Sequence, residues 1–225
     1  MTGEDGERAG QPMTHSFDKA YWQQRWHQAH GGRPGSMAGN PPHPYLAREI
    51  GALAPGTALD AGCGAGAEAL WLASHGWQVT AADISADALA RAADRAAASR
   101  LSQPVRWVEA DLTVWEPGLR FDLVTTHYAH PAMPQLAFYQ RVSTWVAPRG
   151  TLLIVGHLHT PGSTGHGHGH HHPAEATVTL ADITGGLGPA EWEIVTAEEH
   201  QRPVPGPAGQ TVTLHDVVVR ATRRR

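Results

Sequence analysis

"LDAGCGAGAEALWLASHGWQVTAADIS" occupies residues 59–85 and decides the fold. Its first residues complete a short apolar run, "GTALDAG", which predicts a strand ending in glycine. Gly62, Gly64 and Gly66 fall within five residues, and glycines so spaced let a backbone turn tightly and approach a ligand. "GAEALWLASHG" then predicts a helix closed by Gly76 as its C′ residue, and "WQVTAAD" predicts a second strand. Strand, glycine turn, helix and strand form the opening unit of a parallel sheet. Such sheets bind ligands beyond the carboxyl ends of their strands.

The alternation continues outward. "SADALARAADRAAAS" is an alanine-rich helix with Ser85 as N-cap, "PVRWVEA" a third strand and "FDLVTTHY" a fourth. "PQLAFYQRVSTWVA" is a helix ended near "PRG", and "GTLLIVGH" a fifth strand. After a histidine-rich stretch, "AEATVTLADITGGLG" reads as a weak helix. "EWEIVTAEEH" and "TVTLHDVVVRA" then follow with no helix between them, an antiparallel pair joined by the loop "QRPVPGPAGQ". On the other side, residues 1–15 are polar and without period, a disordered tail. "SFDKAYWQQRWHQAH" predicts a helix with Ser16 as cap and Asp18 in its first turn. "GGRPGSMAGNPPHP" predicts a loop and "YLAREIGAL" a short helix. The expected fold class is α/β: a Rossmann-like, seven-stranded, mostly parallel sheet with a C-terminal antiparallel β-hairpin and helices on both faces. Residues 16–225 would form one domain, with an N-terminal helical lid (16–50) and a His-rich loop (157–173).

Composition narrows the function classes. The chain has 225 residues, 41% hydrophobic and 17% charged, as in an ordinary globular domain. No apolar run approaches a membrane span, and "MTGEDGERAG" has the wrong composition for a secretory signal. The net charge is −4 and the one basic cluster is Arg223, Arg224 and Arg225, which argues against a nucleic-acid footprint. Cys63 is the sole cysteine, so no intrachain disulfide forms and a reducing cytoplasm is the expected home.

The glycine turn is flanked by acids. Asp60 precedes it, and Asp83 ends the second strand 23 residues later, where a carboxylate can accept both hydroxyls of a ribose. Asp83 could equally cap the helix that follows. "EADL" ends the third strand. There Asp111 can accept from an adenine amine while the Leu112 backbone faces the ring edge, although Asp111 could also be a plain turn residue. Gly62-x-Gly64-x-x-Ala67 also fits a dinucleotide fingerprint, which keeps an NAD(P)-dependent oxidoreductase open. Asp60 weighs against it. A pyrophosphate would be repelled by a carboxylate there, whereas a ligand carrying an ammonium and a sulfonium would be attracted.

These stretches resemble the class I S-adenosylmethionine-dependent methyltransferases. "LDAGCGAG" is similar to that family's first motif, "VTAADIS" to its second, "VEADL" to its third and "FDLVTTHY" to its fourth. "GNPPHPYL" resembles the entry segment of a bacterial small-molecule branch that includes thiopurine and tellurite enzymes. The resemblance implies S-adenosyl-L-methionine as cofactor and gives each residue a role. Asp60 would lie near the methionine ammonium, and Gly62, Cys63 and Gly64 would line the cofactor. Asp83 would bind ribose, Ile84 would pack on adenine and Asp111 would bind its amine. His127 and Tyr128 would border the transferable methyl group.

On the acceptor side, "THYAHP" lacks the Asn/Asp-Pro-Pro-aromatic signature of members acting on nucleic-acid or protein amides. A small-molecule acceptor is therefore expected, with no nucleic-acid or membrane partner; the sequence leaves its O, N, S or metalloid nucleophile and the oligomeric state open. His127 and His130 are candidate bases, and Tyr128 could orient or stack the acceptor. Tyr21, Trp22 and Trp26 could close over the ligands or pack on the sheet edge. His157 and His159 end the fifth strand. With "HGHGHHH" (His166, His168 and His170 among them) they could bind a metal, or the segment could be a loose lid. A non-catalytic metal-binding protein on this fold is thus a further alternative.

Overall fold

The computed structural model describes residues 17–29, 39–99, 101, 103–158, 178–205 and 211–225. The expected tail (1–15), the Ser16 cap, His159, His166, His168 and His170 lie outside the described residues, as does most of the expected His-rich loop.

Six helices and seven strands are described: α1 (Lys19–Gln28), α2 (Pro44–Ile50), β1 (Thr57–Ala61), α3 (Ala67–Ser74), β2 (Gln78–Asp83), α4 (Ala86–Ala98), β3 (Arg106–Glu109), β4 (Phe121–His127), α5 (Gln135–Ser143), β5 (Val146–His157), α6 (Leu180–Gly185), β6 (Trp192–Pro205) and β7 (Thr211–Arg223). The sheet order is β3-β2-β1-β4-β5-β7-β6. The pairs from β3 through β5 are parallel, while β7 pairs antiparallel with both β5 and β6. This is the expected seven-stranded α/β sheet. The hairpin's second strand inserts beside β5, leaving β6 at the edge.

Side chains alternate across the sheet with the strand period of two. Leu59, Val124, Leu152, Ile154, Val217 and Val219 pack on one face against Phe138 and Val142 of α5 and Ile183 of α6. Ala58, Leu123, Leu153, Val155 and Val218 pack on the other against Leu46 and Ile50 of α2, Leu72 of α3 and Leu89 of α4. Burying both faces accounts for the nearly continuous apolar runs in β4 and β5.

Several boundaries differ from expectation. Asp18, expected in the first turn, caps α1, its carboxylate accepting from the Tyr21 N–H. The fifth helix stops at Ser143, where Thr144 and Trp145 close it with three-residue bonds to Arg141 and Val142. β5 then starts at Val146, before rather than after the "PRG", and Arg149 takes a left-handed φ of 66°. The weak helix shrinks to α6, because a capping box between Thr179 and Asp182 sets its start. The loop expected from residue 201 begins later, since Gln201–Pro205 pair with Thr211–His215. An edge strand tolerates Pro203 and Pro205, whose missing N–H groups need no inner neighbour.

Candidate active site

The carboxyl ends of β1, β2, β4 and β5 open on a cleft of about 730 Å³, within the range of small-ligand sites. α1 roofs one part, and the far end of the β6–β7 hairpin walls another through Arg202 and Leu214.

The glycine loop is built for close approach. Gly62, Gly64 and Gly66 all have left-handed φ, at 83°, 50° and 75°. A Cβ on Gly62 would sit 2.4 Å from the Ala129 side chain, and one on Gly64 would sit 2.9 Å from the Trp26 ring. Trp26 therefore lies directly on the loop, buried with Ala65 and Ala88. Asp83 braces the same loop. One oxygen accepts the Gly64 N–H at 2.8 Å, the other the Ser85 N–H at 2.9 Å. Ser85 in turn caps α4. Asp83 is thus both a strand-end acid and part of a helix entry.

Asp60 is buried at the end of β1, and its Oδ2 has no partner among the described residues. Burial, with the charges of Glu68 and Asp83 nearby, pushes its pKa well above the usual carboxylate value. A site with three carboxylates around one glycine loop suits a cation and repels a pyrophosphate. Cys63 is buried and its thiol is raised by the same burial and carboxylates, so it stays protonated. Ile84, Asp111 and Leu112 line the cleft. Asp111 closes a turn by accepting from the Thr113 N–H and hydroxyl through Oδ1. The Leu112 carbonyl accepts from Arg141 Nε at 2.8 Å.

Tyr21, Trp22 and Trp26 of α1 all line the cleft. Phe17, Tyr21 and Trp22 form one aromatic cluster, and the Trp22 indole donates to the His130 carbonyl at 3.0 Å. α1 is also tied to α4, since Arg91 donates to the Trp26 and Ala29 carbonyls. Arg25, not singled out from the sequence, lines the cleft with a buried Nε that has no partner among the described residues.

On the acceptor side the structure brings His127, Tyr128, His130 and His157 to one cleft. It adds His43 and Arg202 to the lining, with Asp216 buried behind His157 and Arg202, and sequence reasoning missed all three. His127 Nδ1 lies 3.2 Å from the Thr125 hydroxyl, and Nε2 is enclosed without a partner among the described residues. Burial lowers its pKa, so its ring is neutral. His130 Nδ1 faces Gln135 at 3.3 Å.

Tyr128 has a left-handed φ of 53°, rare for so bulky a residue. That turn carries its ring over His157, centroids 4.3 Å apart, and its hydroxyl to within 3.2 Å of His43 Nε2. His43 caps α2, its Nδ1 accepting weakly from the Tyr45 N–H. Its pKa is lowered to about 4, chiefly by burial and then by Arg202. The neutral ring therefore carries its proton on Nε2 and donates to Tyr128. Burial raises the Tyr128 phenol, with Asp216 adding to it, so Tyr128 is a donor and not a base. No group of three or more His, Cys, Asp or Glu placed to hold a metal occurs among the described residues. No described helix is long and apolar enough to cross a membrane.

Comparison with known proteins agrees with this geometry. Residues 58–150 match a family model described as a methyltransferase domain. The chain is 34% identical over 113 residues to ribosomal RNA small subunit methyltransferase C of Alcanivorax borkumensis, covering 48% of this chain and 34% of that protein. It is 28% identical over 137 residues to probable thiol methyltransferase 2 of Arabidopsis thaliana, covering 59% of each. The chain therefore spans less than two thirds of the length of these curated relatives. Among solved structures, it superposes on magnesium protoporphyrin IX methyltransferase from Synechocystis with bound S-adenosylhomocysteine. The TM-score is 0.64 at 19% identity, covering 91% of this chain and 97% of that one. The carboxylate-ringed glycine loop, with Asp60, Asp83 and Asp111, lies within the stretch that is similar to a methyltransferase domain.

Proposed function

We propose that the protein transfers a methyl group from S-adenosylmethionine to a small-molecule acceptor. The observation that carries the cofactor half is Asp60, a buried carboxylate with an orphaned oxygen beside two further acids, which a cationic ligand would complete. When bound, the cofactor supplies an electrophilic methyl on a sulfonium. Asp60 would face its ammonium, and Gly62, Cys63 and Gly64 would let the backbone lie against it. The orphaned Arg25 suits the α-carboxylate. Asp83 would hold the ribose, Ile84 would pack on adenine and Asp111 would accept from its amine. Trp26 and the α1 aromatics would exclude water from the cleft, which favours a displacement at a charged centre.

The acceptor half rests on the cleft's size and its aromatic and histidine lining. Tyr21, Trp22, Tyr128, His130 and His157 line a pocket of small-molecule size. The two curated relatives and the superposed structure are named for ribosomal RNA, thiol and porphyrin acceptors, so their names do not choose among classes. The test is to incubate the protein with methyl-labelled S-adenosylmethionine and, separately, aromatic hydroxyls, thiols, tellurite and ribosomal RNA. Label in the small-molecule extract is the expected result. Label in RNA alone would overturn the acceptor half and leave the cofactor half standing.

A further inference from the structure

Four histidines line the cleft, and the ring of one of them, His157, is hydrogen-bonded to a buried carboxylate. His157 ends β5, and Asp216 lies directly opposite it in the antiparallel register with β7. His157 Nδ1 is 3.2 Å from Asp216 Oδ1. Asp216 is fully buried. Its second oxygen accepts from Arg202 Nε at 2.6 Å. Arg202 comes from β6, two residues beyond His200, the residue paired with Asp216. Three adjacent strands thus place a histidine, an acid and a cation on one face by cross-strand geometry alone.

We propose that His157 and Asp216 form a dyad in which His157 is the general base for the acceptor. The inference rests on the methyl-transfer reading above. His157 Nδ1–H donates to Asp216, which leaves the lone pair on Nε2 for the cleft. The acceptor, X–H, gives its proton to Nε2 as the X lone pair forms the X–CH₃ bond. The S–CH₃ bonding pair stays on sulfur as S-adenosylhomocysteine leaves. His157 is about one-third exposed, so it can return the proton to solvent. The other groups facing it have different tasks. Tyr128 lies tilted over its ring and hydrogen-bonds with Asp216 and Arg202, and His43 holds the Tyr128 hydroxyl. Arg202 keeps Asp216 charged against its burial, and the two hydrogen bonds outweigh that burial to hold the Asp216 carboxyl below its usual range. Such a base fits acceptors that arrive protonated, hydroxyls above all, rather than ones that arrive as thiolates.

The test begins without any acceptor. In protein labelled with ¹⁵N-histidine, the His157→Gln variant assigns the His157 signals. At pH 8 the wild type should carry its proton on Nδ1. In Asp216→Asn, Arg202 claims the amide oxygen and turns the NH₂ toward Nδ1, so the proton should move to Nε2. A wild-type His157 already protonated on Nε2 would overturn the dyad. S-adenosylhomocysteine affinity, measured by calorimetry, should be unchanged in both variants. Failure of the wild type to bind it would sink the underlying reading while the tautomer result still decides the dyad. With catechol as hydroxyl acceptor and 4-nitrothiophenol as thiolate acceptor, His157→Gln should lower kcat about 10²–10⁴-fold for the first and less than about threefold for the second. Equal losses for both would make His157 a positioning residue and contradict its role as base.

Discussion

Burial beside Glu68 and Asp83 raises the Asp60 carboxyl, so at neutral pH the fold either keeps a proton there or strands a charge. Because the folded pKa lies above the unfolded one, the group favours folding below the ordinary carboxylate pKa of about 3.9. That contribution is lost as pH rises through the raised value. Asp60→Asn removes the ionisation and keeps the shape. The ligand-free variant should melt higher at pH 8, by about 2–4 °C for each kcal/mol relieved in a chain of this size. The gain should shrink toward pH 4. The same substitution removes a charge-assisted contact of roughly 1.5–3 kcal/mol, so S-adenosylhomocysteine should bind about tenfold or more weakly. Melting and calorimetry on one preparation check both signs. A variant that loses stability and keeps affinity would show Asp60 to be structural.

At the scale of elements, two glycines with the same backbone requirement separate turn from site. Gly76 ends α3 with a φ of 89°, and its backbone N–H bonds to Ala73 while that of Trp77 bonds to Leu72. A Cβ there finds nothing nearer than 3.5 Å. Gly76→Ala should cost about 1–2 kcal/mol of stability from left-handed strain alone and leave ligand affinity intact. Gly62→Ala adds a collision with Ala129 to the same strain, so it should cost about 2–5 kcal/mol and lose affinity as well. Denaturant melts with parallel calorimetry distinguish them, and equal effects would contradict the close-approach account of the loop. The first five strands and the glycine turn were legible in the sequence because apolar runs and glycines record local requirements. Asp83 and Asp111 were legible as strand-end acids. Asp216 and Arg202 were not, since they are brought to His157 through the register of antiparallel pairs, which no local pattern encodes. His43 was hidden in a proline-rich entry segment that looked like loop, and its contact with Tyr128 depends on a left-handed turn at a tyrosine.

Across the whole molecule, α1 is the part whose stability should depend most on ligand. Its contacts include Trp26 on Gly64, the Trp22 indole on His130, the Ser85 hydroxyl on Gln23, Arg91 on its last turn, and ion pairs from Lys19 to Glu109 and His27 to Asp87. Surface ion pairs of that kind contribute little, so the helix should open locally well before the sheet does. Hydrogen exchange should slow in residues 19–28 when S-adenosylhomocysteine binds and stay unchanged in β4 and β5. Protection confined to the sheet would mean that α1 does not cover the ligand. The central claim, that the carboxylate-ringed glycine loop holds a cationic nucleoside cofactor, meets its most direct test in calorimetric titration with S-adenosylhomocysteine and, in parallel, with NAD. The account predicts one-to-one, micromolar binding of the first and none of the second. Binding of NAD alone, or of neither, would contradict it.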